Sequence, residues 1–233
     1  MFPAPHFVPS SQVYLQQRSP KATVHDLITQ LNVLKMLKRL GSTIRFKRPA
    51  LNKQYKFSIL TFADASRKED HGQLGYIAGL LIGDLKNGSV VHTLSWHSTK
   101  SKRPVKSVAS AEVLATGSAI DEAKMLMKAY ETLFSMDVSL VCVLDSKDLF
   151  DTISSCRMAT DRSIRGDVAL IRFEFETRTV SRMIWLPGKS NFADPLTKLN
   201  SPISSALQLM MFSGALPCDF NDVLVRDSDG FTG

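Results

Sequence analysis

Apolar positions follow three different rhythms along this chain. Residues 1–18 carry Pro at positions 3, 5 and 9 and show no period, so they read as extended or poorly ordered. Ser19-Pro20 has the form of a helix start, with Ser as cap and Pro at the first helical position. From there Val24, Leu27, Ile28, Leu31, Leu34 and Leu37 recur at three and four, and Gly41 closes the run. The pattern predicts one amphipathic helix that needs a surface to pack on. After Pro49 the rhythm shortens. Phe57 to Ala63, Tyr76 to Ile82 and Val90 to Trp96 read as strands, separated by turn-rich stretches at 68–75 and 83–89, which predicts an antiparallel meander.

A polar segment, HSTKSKRPVKS, then leads into a long helical run from about Ser107 to Phe134. Val108, Ala111, Glu112, Ala115, Ala119 and Glu122 fall along one flank, while Leu114, Met125, Leu126 and Leu133 mark the side expected to face the core. The small residues Ala111, Ala115 and Ala119 would let this helix approach a sheet closely. Ser139 to Leu144 is continuously apolar, as expected of a strand buried on both faces. Helices are predicted over Lys147 to Ser155, Asp161 to Thr177, Asn191 to Leu199 and Ile203 to Phe212, with a short strand at Met183 to Leu186. This order is an α/β plan with a mixed sheet whose last two strands are reached by helical crossovers.

With 233 residues the chain can hold one full core and an appendage too small to be a second large domain. Lys plus Arg exceed Asp plus Glu by 29 to 22, and the resulting +7 suits a polyanionic partner. Cys142, Cys156 and Cys218 are odd in number, far apart and without a CxxC pair, which reads as reduced, intracellular and inert. The opening MFPAPHFVPS lacks a basic start and an unbroken apolar core, and Asp137 interrupts the best apolar run, so neither a signal peptide nor a membrane span is expected.

Ligands in such sheets bind beyond the ends of central strands, and Asp64 and Asp145 each follow an apolar strand. Glu112 on the long helix and Asp194 near the end of the α/β region can join them. Carboxylates from separate elements are what Mg²⁺ requires, and two such ions about 4 Å apart can activate a water on one side of a phosphodiester and stabilise the departing oxygen on the other. Other candidates fit less well. Gly188-Lys189-Ser190 lacks the glycine five residues earlier that a phosphate loop needs, because position 183 is Met. His92 and His97 lie an odd number of residues apart on a strand, so they are expected on opposite faces. Asp161 and Asp167 read as surface or helix-start acids. Lys100, Lys102, Arg103 and Lys106 precede the Glu112 helix, where they suit either a phosphate backbone or a solvated loop.

The segments FADAS, SAEVLA, LDSKDLFDTI, DRSIRGDVALIR and WLPGKSNFADPLTK, in this order, resemble the ribonuclease H domain of copia-type LTR retrotransposon polyproteins, fungal elements above all. The resemblance implies a ribonuclease H-like fold, a five-stranded mixed sheet with three strands in a meander and two parallel, flanked by helices. It divides the chain into an N-terminal extension over 1–54, similar to the end of the reverse transcriptase, a nuclease domain over 55–200, and a C-terminal helix and tail over 201–233. It further implies cleavage of the RNA strand of an RNA–DNA hybrid with two Mg²⁺ ions, which Mn²⁺ can replace. Asp64 and Asp145 would bridge both ions, Glu112 would bind on the leaving-group side, and Asp194 would hold the ion on the nucleophile side. The expected substrate contacts are Lys100, Lys102, Arg103, Lys106, Lys189 and Asn191. The reverse-transcriptase polymerase domain is the implied partner, and the implied location is intracellular, in cytoplasmic virus-like particles or the nucleus. A non-catalytic interaction module left by a decayed or host-adopted element is the alternative.

Overall fold

The strand that starts with the apolar run Phe57 to Ala63 becomes the third of six in a single sheet. A computed structural model describes residues 55–68, 71–155, 157–198, 201–217, 220 and 223–230, together with Thr23, Val24, Ile28, Leu31, Asn32, Lys35 and Phe46. The strands are β1 (Phe57–Lys68), β2 (His71–Ile82), β3 (Val90–Lys100), β4 (Val138–Leu144), β5 (Arg182–Trp185) and β6 (Leu224–Asp227), in the spatial order β3-β2-β1-β4-β5-β6. β1, β2 and β3 form the antiparallel meander, and β4 and β5 run parallel to β1. The helices are α1 (Val108–Phe134), α2 (Lys147–Ile153), α3 (Arg165–Glu176) and α4 (Ser204–Ser213).

The sheet has six strands where five were expected. The sixth lies in the segment expected to be a tail, where LVRD pairs antiparallel to β5 and Arg182 Nε bonds Asp227 Oδ1 at 2.6 Å. The meander strands are also longer than predicted. Positions 68–75 were expected to turn, yet Lys68 pairs with His71 and the ladder continues through Gly72 and Gly75. These glycines mark close approach rather than turning. A Cβ on Gly72 would lie 3.1 Å from both Ala111 Cβ and Val105 Cγ2, and one on Gly75 would lie 2.7 Å from Thr197 Cγ2 and 2.8 Å from Leu196 Cβ. As a consequence Asp64 does not end its strand. It sits just past Phe62↔Val143, where pairing with β4 stops, and opposite Gly75 on β2.

α1 starts at a capping box in which Ser107 and Ser110 satisfy each other's backbone N–H groups. Its sheet-facing side is not the leucine stripe. Ala111, Val113, Ala115, Ala119, Ile120 and Ala123 are buried, whereas Met125 and Leu133 are exposed. Ala111, Ala115 and Ala119 cluster with Ala63 and Ala65 of β1, as their small size suggested. On one face of the sheet α1, α2 and α3 cover a core containing Phe150 and Phe175; on the other, α4 and the 187–198 segment cover Phe62, Phe192 and Leu207. Most of the amphipathic helix expected from Ser19 to Gly41 lies outside the described residues, as do residues 1–18, Cys156 and Cys218. Within that helix Val24, Ile28 and Leu31 are helical and exposed. No helix among the described residues is long and apolar enough to cross a membrane.

Gly75 allows the 194–198 segment to lie against β2 opposite Asp64. Gly75→Ala should destabilise the protein by about 1–3 kcal/mol, because the added methyl forces Thr197 and Leu196 outward. Urea unfolding of the two proteins measures this, and equal midpoints would show that the segment yields without cost.

Candidate metal centre

Three elements each deliver one carboxylate to a single point. Asp64 comes from β1, Glu112 from the second turn of α1 and Asp145 from the residue after β4, and one oxygen of each lies within 4.8 Å of the others. Local structure explains each position. Glu112 follows Ala111 on the face of α1 that meets β1, so the alanine contact carries it to Asp64, and the Ala65 backbone N–H donates to it. Asp145 sits between the end of β4 and Ser146, which caps α2, and its carbonyl accepts from Trp185 Nε1 at 2.8 Å. Gly188 leaves room beside it, since a Cβ there would stand 3.0 Å from Asp145 Oδ2.

In place of the expected helix at Asn191 to Leu199 there is one short 3-10 turn, Asp194–Leu196, preceded by another at Gly188–Ser190. Pro187 and Pro195 bracket too few residues for an α-helix to extend. Phe192 holds this segment on the sheet through an edge contact with Phe62 at 5.2 Å, and Asn191 Nδ2 donates to the Ala63 carbonyl at 2.7 Å. Asp194 is thereby brought beside Asp64, although it stands outside the three-acid group. Thr197 Oγ1 donates to Asp64 Oδ2, and Lys198 Nζ lies 3.4 Å from Asp64 Oδ1 and bonds Asp194 Oδ1. The sequence reading missed Thr197 and Lys198. Their signal was their place three and four residues after Asp194, within the same motif.

Burial and mutual repulsion make this site costly. The Asp64 carboxyl is pushed up to about 7, first by burial and then by the charge of Asp145, while Lys198 and the Thr197 hydroxyl oppose the shift. Glu112 is pushed up to about 9 by burial and by Asp64 and Asp145. Asp145 is raised too, chiefly by burial, against the pull of Lys198 and a hydrogen bond from Asn191. A set of hard oxygen donors that resists carrying its own charge fits a hard divalent cation, which removes the repulsion when it binds. The residues present therefore fit the group that the sequence implies.

The basic candidates occupy a different position. Lys100, Lys102, Arg103 and Lys106 are all exposed between β3 and α1. Arg103 is tied to Asp167 of α3 at 2.7 Å, and Asp161 caps the turn before α3. Lys189 is exposed on its turn next to the Asp145 loop. Asn191, expected at the substrate surface, is instead fully buried and uses its amide on Ala63, Ala193 and Asp145. The two histidines also differ from expectation. A bulge between Ala78 and Gly79 resets the alternation, so His92 opposite Leu80 and His97 opposite Tyr76 share a face. Neither joins the acid group. Cys142 is fully buried and its thiol is pushed up to about 12 by burial, in keeping with an inert residue.

Because the folded carboxyls are raised above their unfolded values, the metal-free native state binds protons more tightly than the unfolded chain. Stability in EDTA should fall as pH rises from about 4, where unfolded carboxyls ionise, toward about 9, where Glu112 does so in the fold. Asp145→Asn removes one of the repelling charges and should raise neutral-pH stability in EDTA by about 1 kcal/mol or somewhat more. Thermal melts across pH test both statements. A mutant that melts lower at pH 7 would mean that the hydrogen bonds of Asp145 outweigh its repulsion.

No protein-family model matches the sequence, and no curated protein matches it. Among solved structures, a ribonuclease H1 isolated from compost by a metagenomic approach is 21% identical, covering 61% of this chain and 93% of that one at a TM-score of 0.43. The N-terminal RNase H domain of a Mycobacterium tuberculosis protein is 18% identical, covering 65% and 99% at 0.44. RNase H1 from the halophilic archaeon Halobacterium salinarum is 15% identical, covering 64% and 99% at 0.43. The fold of this chain is α/β, a mixed six-stranded sheet flanked by helices.

Proposed function

We propose that this chain is a ribonuclease H-like nuclease that hydrolyses the RNA strand of RNA–DNA hybrids, using two Mg²⁺ ions held by Asp64, Glu112, Asp145 and Asp194. The observation that carries the reading is the convergence of Asp64, Glu112 and Asp145 from three separate elements within 4.8 Å, where burial and mutual repulsion push Asp64 up to about 7 and Glu112 up to about 9. When bound, such ions supply an activated water and charge stabilisation for the departing oxygen. Asp64 and Asp145 would hold both ions, Glu112 would serve the leaving-group side and Asp194 the nucleophile side. Asn191 and Trp185 act through Asp145, one holding its carboxylate and the other its carbonyl. Gly188 keeps the space next to that carboxylate open.

Substrate binding in this reading falls to Lys100, Lys102, Arg103 and Lys106, with Lys189 near the site. Backbone charge supplies affinity without sequence preference, and contacts to the 2′-OH supply the choice of RNA. In this reading the activity serves the reverse transcription of a copia-type element, with residues 55–200 as the nuclease domain and the polymerase domain of the same polyprotein as partner; the likeness of the quoted motifs to such elements supports it. An intracellular setting belongs to the same reading.

Asp145→Asn should abolish hydrolysis of a labelled RNA–DNA hybrid while leaving the circular dichroism spectrum intact. Mg²⁺ or Mn²⁺ should support cleavage by the wild type and Ca²⁺ should not, because its looser coordination does not hold an in-line geometry. Wild-type turnover in the mutant would remove Asp145 from the site; no cleavage of hybrid in any metal would make the chain a binding module instead.

Replacing Lys100, Lys102, Arg103 and Lys106 together by Gln should weaken hybrid binding and flatten its salt dependence, the slope shrinking by about 0.9 for each phosphate that is no longer neutralised. An unchanged slope of log affinity against log salt would leave this loop as a solvated bystander.

A further inference from the structure

Lys198 brings a positive charge into the acid cluster. It follows Asp194 by one helical turn, and among the described residues no other cation forms an ion pair with Asp64 or Asp194. Its Nζ lies 3.4 Å from Asp64 Oδ1 and bonds Asp194 Oδ1, while the second oxygen of Asp64 accepts from Thr197. Both oxygens of Asp64 are therefore occupied from the same short segment. The carboxylates are almost wholly enclosed, with side-chain exposures of 1% for Asp64 and 9% for Asp194, whereas Lys198 is 47% exposed. The acids have nowhere to go, but the lysine has an open path to solvent.

We infer that Lys198 is a built-in cation that occupies Asp64 and Asp194 when no metal is bound, and that it must withdraw before those carboxylates take up a divalent ion. The inference rests on the reading of the four acids as a metal site. A cation at coordination distance from Asp64, about 2.1 Å for Mg²⁺, cannot share that oxygen with an ammonium already beside it without strong repulsion. The exchange is reciprocal: whatever the lysine contributes to the metal-free state is subtracted from metal affinity. Lys198 is thus a positioning residue that sets how readily the site loads. The ammonium also opposes the rise at Asp64, Glu112 and Asp145 alike, which offsets part of the cost of burying them.

Calorimetric Mg²⁺ titrations and melts in EDTA or Mg²⁺ on the wild type, Lys198→Gln and Lys198→Arg test this. Lys198→Gln should melt lower than wild type in EDTA, yet bind Mg²⁺ about tenfold tighter and gain more from it on melting. Lys198→Arg, which keeps the charge, should stay near wild type in both. A lysine with a purely structural role would lower both melts equally and leave affinity unchanged, and that outcome overturns the inference while sparing the metal site. If neither wild type nor variant binds Mg²⁺ by either measure, the metal reading falls and this one with it. A second measurement needs no variant. Amine acylation read by mass spectrometry should show Lys198 labelling rise several-fold on Mg²⁺ addition, with exposed Lys189 as internal reference. Equal labelling of Lys198 with and without Mg²⁺ would show that it does not withdraw.

Discussion

The contact between the alanines of α1 and those of β1 is the constraint on which the site depends. Ala111, Ala115 and Ala119 share one buried cluster with Ala63 and Ala65, completed by Leu74 and Val105. Gly72 extends the same surface into β2, where any side chain would run into Ala111. Because Ala111 and Glu112 are neighbours, and so are Ala63 and Asp64, this packing fixes the distance between the two carboxylates as it fixes the helix on the sheet. A larger residue at the contact would lift α1 and carry Glu112 away. Core packing and site geometry are here the same set of contacts.

The other side of the site is held differently. The segment from Pro187 to Lys198 has too little regular structure to hold itself in place, and it is secured by single anchors. Phe192 packs edge-on to Phe62, a contact worth about 0.5–1.5 kcal/mol beyond its buried area. The buried Asn191 amide bonds the carbonyl of Ala63, next in sequence to Asp64, and losing such a bond costs about 1–3 kcal/mol. Gly75 and Gly188 supply the gaps into which Thr197 and Asp145 fit. An acid-bearing loop is thereby set on a strand that already carries an acid.

That assembly gathers negative charge in a place water reaches poorly. Asp64 and Glu112 respond by holding their protons far above the ordinary carboxylate range. Lys198 and Thr197 offset part of the cost from within the same motif that supplies Asp194. The native state thus tolerates a cluster that would repel itself, with both oxygens of Asp64 engaged by Thr197 and Lys198.

The sequence by itself determined the order of elements as far as β5, the buried character of β4 and the extent of α1 from about Ser107 to Phe134, and a family resemblance named four acids as candidates, three of which the structure groups. These are local properties: period, caps and the side chain at each position. Tertiary structure decided the rest. Gly72 and Gly75 resemble turn residues until α1 and the 194–198 segment are seen pressing on them. The leucine stripe of α1 looks like its buried face, but small residues make the contact and Met125 and Leu133 stay outside. A bulge in β2–β3 pairing beside Gly79 resets strand alternation, and the two histidines come to share a face. β6 exists only because β5 offers an edge to a four-residue stretch too short to signal itself. Asn191 and Lys198 were legible as polar residues in a motif, but whether each faces substrate, backbone or acid depends on which chains lie beside it. Period and composition act along the chain, whereas burial, pairing and charge partnership act across it.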